Sequence, residues 1–203
     1  MNVYFLRHGE FQKTEPIVYP TNETPLSTEG RKQIGLVDNK VCGLGIELIL
    51  SSDLARAVET AKIVNRNIKV ELRINGLFSE RKRPSEIVGR DVGNVEVKNI
   101  IQIINEKYHT PGYHYSDEEN FSDLKSRARE ALKYLEEIHV RKLLVVSHSE
   151  ILAMIFLLIA FGEGITSIEY TQRKHLFAIK TAEIVCFERS DGIWRRIGDM
   201  MKR

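Results

Sequence analysis

Three short segments of the chain carry side chains suited to chemistry, and each follows an apolar run. They are Arg7–Glu10 after "VYFL", Ser51–Asp53 after "LIL" with Arg56 close behind, and Ser147–Glu150 after "LLVV". An imidazole nitrogen can attack phosphorus, while guanidinium groups bind phosphate oxygens in bidentate fashion. A second imidazole can donate to the charge that develops in the transition state. Two histidines and two arginines of this kind predict phosphoryl transfer through a histidine nucleophile.

The elements that must position these residues alternate along the chain. Apolar runs predict buried strands, whereas apolar residues three and four positions apart predict helices. The predicted strands are Val3–Arg7, Ile46–Ser52, Ile68–Ile74 and Lys142–His148, the predicted helices lie at 25–37, 53–66 and 124–138 and from Ile151 onward, and a closing hairpin turns at Ser190-Asp191-Gly192. This order predicts an α/β fold, a single-domain three-layer sandwich of a mostly parallel sheet with helices on both faces.

In such sheets, ligands bind at the carboxyl ends of the strands. The three segments are therefore expected to meet at one edge of the sheet. Side chains in the first turn of a helix lean toward its N-terminus, so Arg56 should point at the same edge. The N-termini of the helices that follow Ser52 and His148 are expected to offer backbone donors to the same anion.

A long irregular stretch interrupts the alternation between Asn75 and Asn120. Glycines, prolines and the run "YHTPGYHY" break its periodicity, and one helix is predicted within "VEVKNIIQIINEKY". Long irregular connections often carry function. We expect one domain over residues 1–203, in which residues 81–120 form an insertion that acts as a lid and selects the substrate.

The composition of the 203 residues limits the class of protein. Hydrophobic residues make up 42%, charged residues 29%, and the net charge is +2, which predicts a soluble globular protein and no nucleic-acid partner. The apolar run Ile151–Phe161 is too short to span a bilayer, so no membrane partner is expected. Cys42 and Cys186 are far apart and form no CxxC motif, which argues against a disulfide framework and favours a cytoplasmic location.

Four motifs, taken in order, resemble those of the histidine phosphatase superfamily, whose fold is phosphoglycerate mutase-like. They are "LRHGE", "PLSTEG", "SSDLARAVETA" and "VVSHSE", and the resemblance runs from residue 3 to about residue 160. It implies that His8 is the catalytic nucleophile and becomes phosphorylated. It also implies that Arg7, Arg56 and His148 bind the phosphoryl group, with His148 belonging to the catalytic set as well.

The resemblance further implies a carboxylic acid that protonates the leaving oxygen, placed after the third strand. Within "LFSERKRPSEIVGR" the best match is Glu80, and Glu86 is the competing candidate. The basic run of Arg81, Lys82 and Arg83 beside this acid is either a solvated face or a contact for a second anionic group of the substrate. His109, His114, His139 and His175 show no metal-ligand spacing, so neither a metal site nor a cofactor is expected.

The chain departs from the family pattern at three positions. Phe11 and Thr14 stand where the family commonly has Ser or Thr and then Asn, and Glu150 stands where glycines are common. The long insertion of cofactor-dependent phosphoglycerate mutases is not recognisable between Glu80 and Asn120. The missing insertion favours hydrolysis over mutase activity, so we expect a metal-independent phosphomonoester hydrolase that acts on a small-molecule substrate. Phe11 and Glu150 instead leave open a protein that has lost turnover. A phosphomutase and a non-catalytic phosphate-binding module are the alternatives, and the sequence leaves the oligomeric state open, a homodimer included.

Overall fold

A computed structural model describes residues 1–199 of the chain. Its strands form one sheet in the order β3-β2-β4-β1-β5-β6. The strands are β1 (Asn2–Arg7), β2 (Leu48–Ser51), β3 (Glu71–Ile74), β4 (Lys142–Ser147), β5 (Ile184–Ser190) and β6 (Ile193–Asp199). The helices are α1 (Thr28–Cys42), α2 (Ala55–Ile68), α3 (Val95–Lys107), α4 (Phe121–Glu136), α5 (Ser149–Phe161) and α6 (Ser167–Phe177).

The first four strands of this order run parallel, and β5 and β6 complete the sheet in antiparallel fashion. Alternate residues of the central strands face opposite sides of the sheet because side chains in a strand point alternately up and down. Phe5 and Val145 pack in one core with α4 and α5, whereas Leu6 and Val146 pack in the other core with α1 and α2. The predicted three-layer α/β architecture is confirmed.

Helix α5 is buried on almost every side. Residues 151–158 are all buried, because the helix packs on the sheet and also contacts α4 and α6. No helix within residues 1–199 combines the length and the apolar character that a bilayer crossing needs.

Element boundaries differ from the sequence expectation at β2, at β3 and near the C-terminus. Strand β2 is shorter at both ends than the predicted 46–52. Helix α2 continues to Ile68, and Lys69 adopts a left-handed conformation (φ 53°), so β3 starts only at Glu71. The amide of Asn65 closes this turn by bonding both backbone groups of Val70. Helix α6 was not predicted, although Thr166 and Glu169 form a capping box, a recognisable start signal.

The segment 81–120 has a small core of its own. Ile87 packs there with three apolar residues of α3: Val97, Ile100 and Ile104. Backbone bridges join this segment to the loop after β1, at Val18 with Asp91 and at Tyr19 with Val88. Its role as a lid stays a prediction.

Candidate active site

The carboxyl ends of β1, β2 and β4 bring together His8 and His148, the two histidines predicted for the site. Arg7 pairs with Ser147 across the parallel strands, and the backbone N–H of His8 donates to the carbonyl of Ser147 (3.1 Å). The ring centroids of His8 and His148 lie 4.9 Å apart. His8 is 3% exposed, His148 is fully buried and Arg56 is 5% exposed, so this group is shielded from bulk water.

Geometry fixes the tautomer of His8. Its Nδ1 lies 2.6 Å from the carbonyl oxygen of Gly9, and a carbonyl can only accept, so Nδ1 carries the proton. The lone pair is then on Nε2, the nitrogen available for attack. Burial, together with the positive charges of Arg56 and Arg7, lowers the pKa of His8 to about 3. The imidazole is therefore neutral near pH 7.

The backbone of Gly9 lies very close to that of α1, which fixes the position of the Gly9 carbonyl. A Cβ on Gly9 would lie 2.6 Å from the carbonyl oxygen of Gly30 in α1, so a side chain would push the two segments apart. The N–H of Gly9 donates to Thr60 Oγ1 (3.4 Å), and the Thr60 hydroxyl donates to the carbonyl of Arg56 (2.8 Å). The loop after β1 is thereby tied to α1 and to the helix that carries Arg56.

Each of the two arginines is anchored by one backbone contact. Arg7 donates from Nη1 to the carbonyl of Ile179 (2.9 Å), and Arg56 donates from Nη1 to the carbonyl of Thr21 (3.2 Å). The buried Nε of Arg7 has no acceptor among residues 1–199. Burial lowers the pKa of both guanidinium groups, while the Glu80 carboxylate opposes that shift. Two anchored cations with spare donors are suited to a phosphoryl group.

His148 is held by a neighbouring serine. Its Nε2 lies 2.7 Å from Ser52 Oγ, which also accepts from the N–H of Leu54. Nδ1 of His148 is buried and lacks a partner within the described part of the chain. Burial first, and then the nearby histidine and arginines, hold the pKa of His148 well below its usual range.

Glu80 lies at the N-terminus of α5. Its carboxylate accepts backbone N–H bonds from Ser149 (3.1 Å), Glu150 (3.0 Å) and Arg81 (2.9 Å). Burial raises the pKa of Glu80, and the charge of Glu150 raises it further against the opposing effect of these N–H groups and Arg56.

Several N–H groups at the two helix N-termini already have acceptors within the protein. At α5, the N–H groups of Ser149 and Glu150 donate to the Glu80 carboxylate. At α2, the N–H groups of Leu54 and Ala55 donate to Ser52 Oγ and to the carbonyl of Asn22. That the termini also donate to the anion stays a prediction.

The competing acid, Glu86, lies elsewhere. It is exposed and accepts a hydrogen bond from Ser116 Oγ (2.8 Å). Of the two candidate proton donors, the structure brings Glu80 into the group of histidines and arginines.

Two positions that depart from the family pattern have separate surroundings. The ring of Phe11 lies 6.3 Å from His8 and under the guanidinium of Arg56 (5.8 Å). Thr14 is exposed and its hydroxyl donates to the carbonyl of Pro16 (2.7 Å). Phe11 thus lines the site through its ring, and Thr14 bonds its own loop.

The remaining histidines lie on the surface. His109 contacts Ser167 (3.0 Å), His114 contacts Asp123 (2.6 Å), and His139 and His175 are exposed. Residues 1–199 hold no group of three or more His, Cys, Asp or Glu side chains arranged to bind a metal ion.

Arg127 was missed from the sequence, yet it supports the loop that carries Glu80. Its Nη1 donates to the carbonyls of Leu77 (3.1 Å) and Ser79 (2.7 Å), and it forms a two-bond ion pair with Glu119 (2.6 Å each). No local signal marks it, because its partners lie up to 50 residues away in the chain.

Comparison with known proteins identifies the family of the chain. The sequence model of the histidine phosphatase superfamily (branch 1) matches residues 3–195. The chain belongs to this superfamily. Within the histidine phosphatases, it is 31% identical over 108 residues to "Probable phosphoglycerate mutase GpmB" of Escherichia coli O1:K1 / APEC, a match that covers 53% of this chain and 46% of that protein. The match thus spans about half the length of these mutase relatives.

A phosphatase relative matches over a longer stretch. The chain is 27% identical over 161 residues to the adenosylcobalamin/alpha-ribazole phosphatase of Escherichia coli K12, covering 76% of this chain and 77% of that protein. Among solved structures, the alpha-ribazole phosphatase of Shigella flexneri has a TM-score of 0.81 at 19% identity, with 98% and 96% of the chains covered. A mycobacterial glucosyl-3-phosphoglycerate phosphatase has a TM-score of 0.74 at 18% identity, with 97% and 96% covered. These structures share the fold of this chain.

Proposed function

We propose that this protein hydrolyses phosphomonoesters without a metal, through a phosphohistidine on His8. The observation that carries the proposal is the bond from His8 Nδ1 to the Gly9 carbonyl, which leaves a neutral nitrogen nucleophile near two anchored arginines. The arginines supply the positive charge that the phosphoryl oxygens require, and His148 adds a neutral hydrogen-bond donor.

The proposed reaction has two steps. In the first, Nε2 of His8 attacks phosphorus, the bond from phosphorus to the ester oxygen breaks, and Glu80 gives its proton to that oxygen. The Gly9 carbonyl stabilises the imidazole as it gains positive charge, because it already accepts from Nδ1. In the second step, Glu80 takes a proton from water, the resulting hydroxide attacks phosphorus, and the phosphorus–nitrogen bond breaks. Phosphate and neutral His8 result.

The test is hydrolysis of p-nitrophenyl phosphate in EDTA by the wild type and by His8→Ala. We expect turnover that the variant loses by at least about a thousandfold, together with an acid-labile phosphoenzyme in the wild type only. Activity that survives in His8→Ala would overturn the phosphohistidine mechanism. Loss in EDTA with recovery in Mg²⁺ would overturn metal independence.

The role of Glu80 as the proton donor is tested by how the effect of Glu80→Gln varies with the leaving group of the substrate. Glu80→Gln should slow alkyl phosphomonoesters about a hundredfold or more, since a poor leaving oxygen needs the proton most. The matched variant Glu86→Gln should leave the rates of hydrolysis of alkyl phosphomonoesters and of p-nitrophenyl phosphate unchanged. If Glu86→Gln slowed the alkyl substrates and Glu80→Gln did not, Glu86 would be the proton donor.

A phosphomutase is the second candidate, supported by the identity to the mutase named above. It would pass the phosphoryl group from His8 to a second hydroxyl of the substrate. Phosphorus NMR of a reaction with 3-phosphoglycerate distinguishes the two, because a mutase yields the 2-phospho isomer and a phosphatase yields inorganic phosphate.

We also infer a reducing cytoplasmic compartment and a small-molecule substrate as a partner, with a homodimer left open. The two cysteines are free thiols, which supports the first inference.

A further inference from the structure

Three cations surround one carboxylate next to Glu80. Oε1 of Glu150 lies 3.3 Å from Arg83 and 3.4 Å from Lys174, and Oε2 lies 3.6 Å from Arg81. The side chain of Glu150 is 19% exposed and that of Arg81 only 5%. Lys82, between the two arginines in sequence, points away and pairs with Asp117 (3.0 Å). We call Arg81, Arg83, Lys174 and Glu150 the basic cluster.

Two tyrosines form the wall of the basic cluster. The guanidinium of Arg81 lies 4.7 Å from the ring centre of Tyr108, and Nζ of Lys174 lies 5.5 Å from that of Tyr170. The hydroxyls of both tyrosines are buried without a hydrogen-bond partner among residues 1–199. Tyr170 is fully buried, and burial together with the charge of Glu150 raises its pKa.

Unsatisfied buried polar atoms are rare and costly in folded proteins. Oε2 of Glu150 is also buried without a hydrogen bond in the described residues, and its contact with Arg81 exceeds the usual length of a charge-assisted bond. Two donors and one acceptor are thus left open beside three cations.

The basic cluster lies on the side where a leaving group must lie. The backbone N–H of Glu150 donates to Glu80, and Glu80 is the acid that would protonate the leaving oxygen. The position of the leaving group near Glu80 rests on the proposed function. A leaving group bound there is exposed to the electrostatic field of the basic cluster.

We propose that Glu150 is a specificity-determining residue, an internal carboxylate that takes the place a second substrate anion would occupy between Arg81, Arg83 and Lys174. Glu150 lowers the net charge of the basic cluster from +3 to +2 and repels a substrate carboxylate at close range, so such a carboxylate binds less well than it would without Glu150. Glu150 thereby shifts the selectivity toward phosphomonoesters whose leaving group carries no charge.

Two substrates of nearly equal shape test this proposal: sn-glycerol 3-phosphate ends in a hydroxymethyl group, and 3-phosphoglycerate ends in a carboxylate. Glu150→Gln should shift the ratio of the two kcat/KM values at least tenfold toward 3-phosphoglycerate. The ratio is the readout because an altered Glu80 affects both substrates alike.

Two further variants keep the result specific. Adding Lys174→Gln to Glu150→Gln should reverse most of the shift, because it restores the wild-type net charge of the cluster. Lys82→Gln alone should leave the ratio within about twofold, since Lys82 is exposed and paired with Asp117, and exposed charges act weakly. A ratio unchanged in Glu150→Gln, or shifted toward glycerol 3-phosphate, would overturn the proposal.

A protein without any turnover would instead refute the proposed function. In that case the ratio of dissociation constants for the two compounds, measured by calorimetry on the wild type and Glu150→Gln, decides the role of Glu150 by the same criterion.

Discussion

The buried neutral histidines should make this protein sensitive to acid. The pKa of His8 is about 3 in the folded protein, and that of an unfolded-chain histidine is about 6.5. As pH falls below 6.5, the unfolded state takes up the proton and the folded state does not, so the free energy of unfolding decreases. Two pH units below 6.5, at pH 4.5, His8 alone should cost about 3 kcal/mol, at about 1.4 kcal/mol per unit.

Urea unfolding at pH 7.5 and pH 4.5 measures this loss in the wild type and in His8→Gln. The wild type should lose about 3 kcal/mol more than the variant between the two conditions, because the glutamine does not titrate. The control His139→Gln removes an exposed histidine and should keep the wild-type loss. Equal losses in the wild type and His8→Gln would refute the conclusion that His8 is neutral because it is buried.

Three other substitutions test the supports of the site. Gly30→Ala places a Cβ 1.9 Å from a backbone oxygen, so urea unfolding should show a loss of about 3 kcal/mol, and a loss under about 0.5 would contradict the close approach. Arg127→Met frees the loop of Glu80; kcat should fall with KM nearly unchanged, whereas a rise in KM alone would make Arg127 a binding residue. Ser52→Ala leaves Nε2 of His148 unpaired and should cost about 1–3 kcal/mol, and an unchanged denaturation midpoint would count against that bond.

The layers of the fold could be predicted from the sequence because the central strands have strong patterns. Residues 143–146 of β4 are fully buried on both faces, and such strands read as unbroken apolar runs. Helix α6 lacked a comparable signal, since of its residues only Tyr170 is buried and its apolar pattern is correspondingly weak. The start of β3 was misplaced because a side-chain amide, that of Asn65, closes the turn before it.

Convergence of the two histidines and two arginines was predictable for a geometric reason. Neighbouring parallel strands end at the same edge, so residues that follow β1 and β4 become neighbours whatever their separation in sequence. No such geometric rule predicts the contacts around Glu80. The contact between Glu150 and Lys174 joins α5 to a helix that sequence patterns did not reveal, and the one between Arg127 and Ser79 joins residues 48 positions apart.

The surroundings of the Glu80 carboxyl group suit a side chain that must first give a proton and then take one. Its three backbone N–H bonds stabilise the carboxylate, whereas burial and the nearby charge of Glu150 stabilise the carboxylic acid. Either influence alone would fix one protonation state and stop one of the two proposed steps. A general acid that becomes a general base works best when its pKa lies near the working pH. The N-terminus of α5 is therefore better used to hold this acid than to bind phosphate directly, because Arg7 and Arg56 already supply the charge for the phosphoryl group.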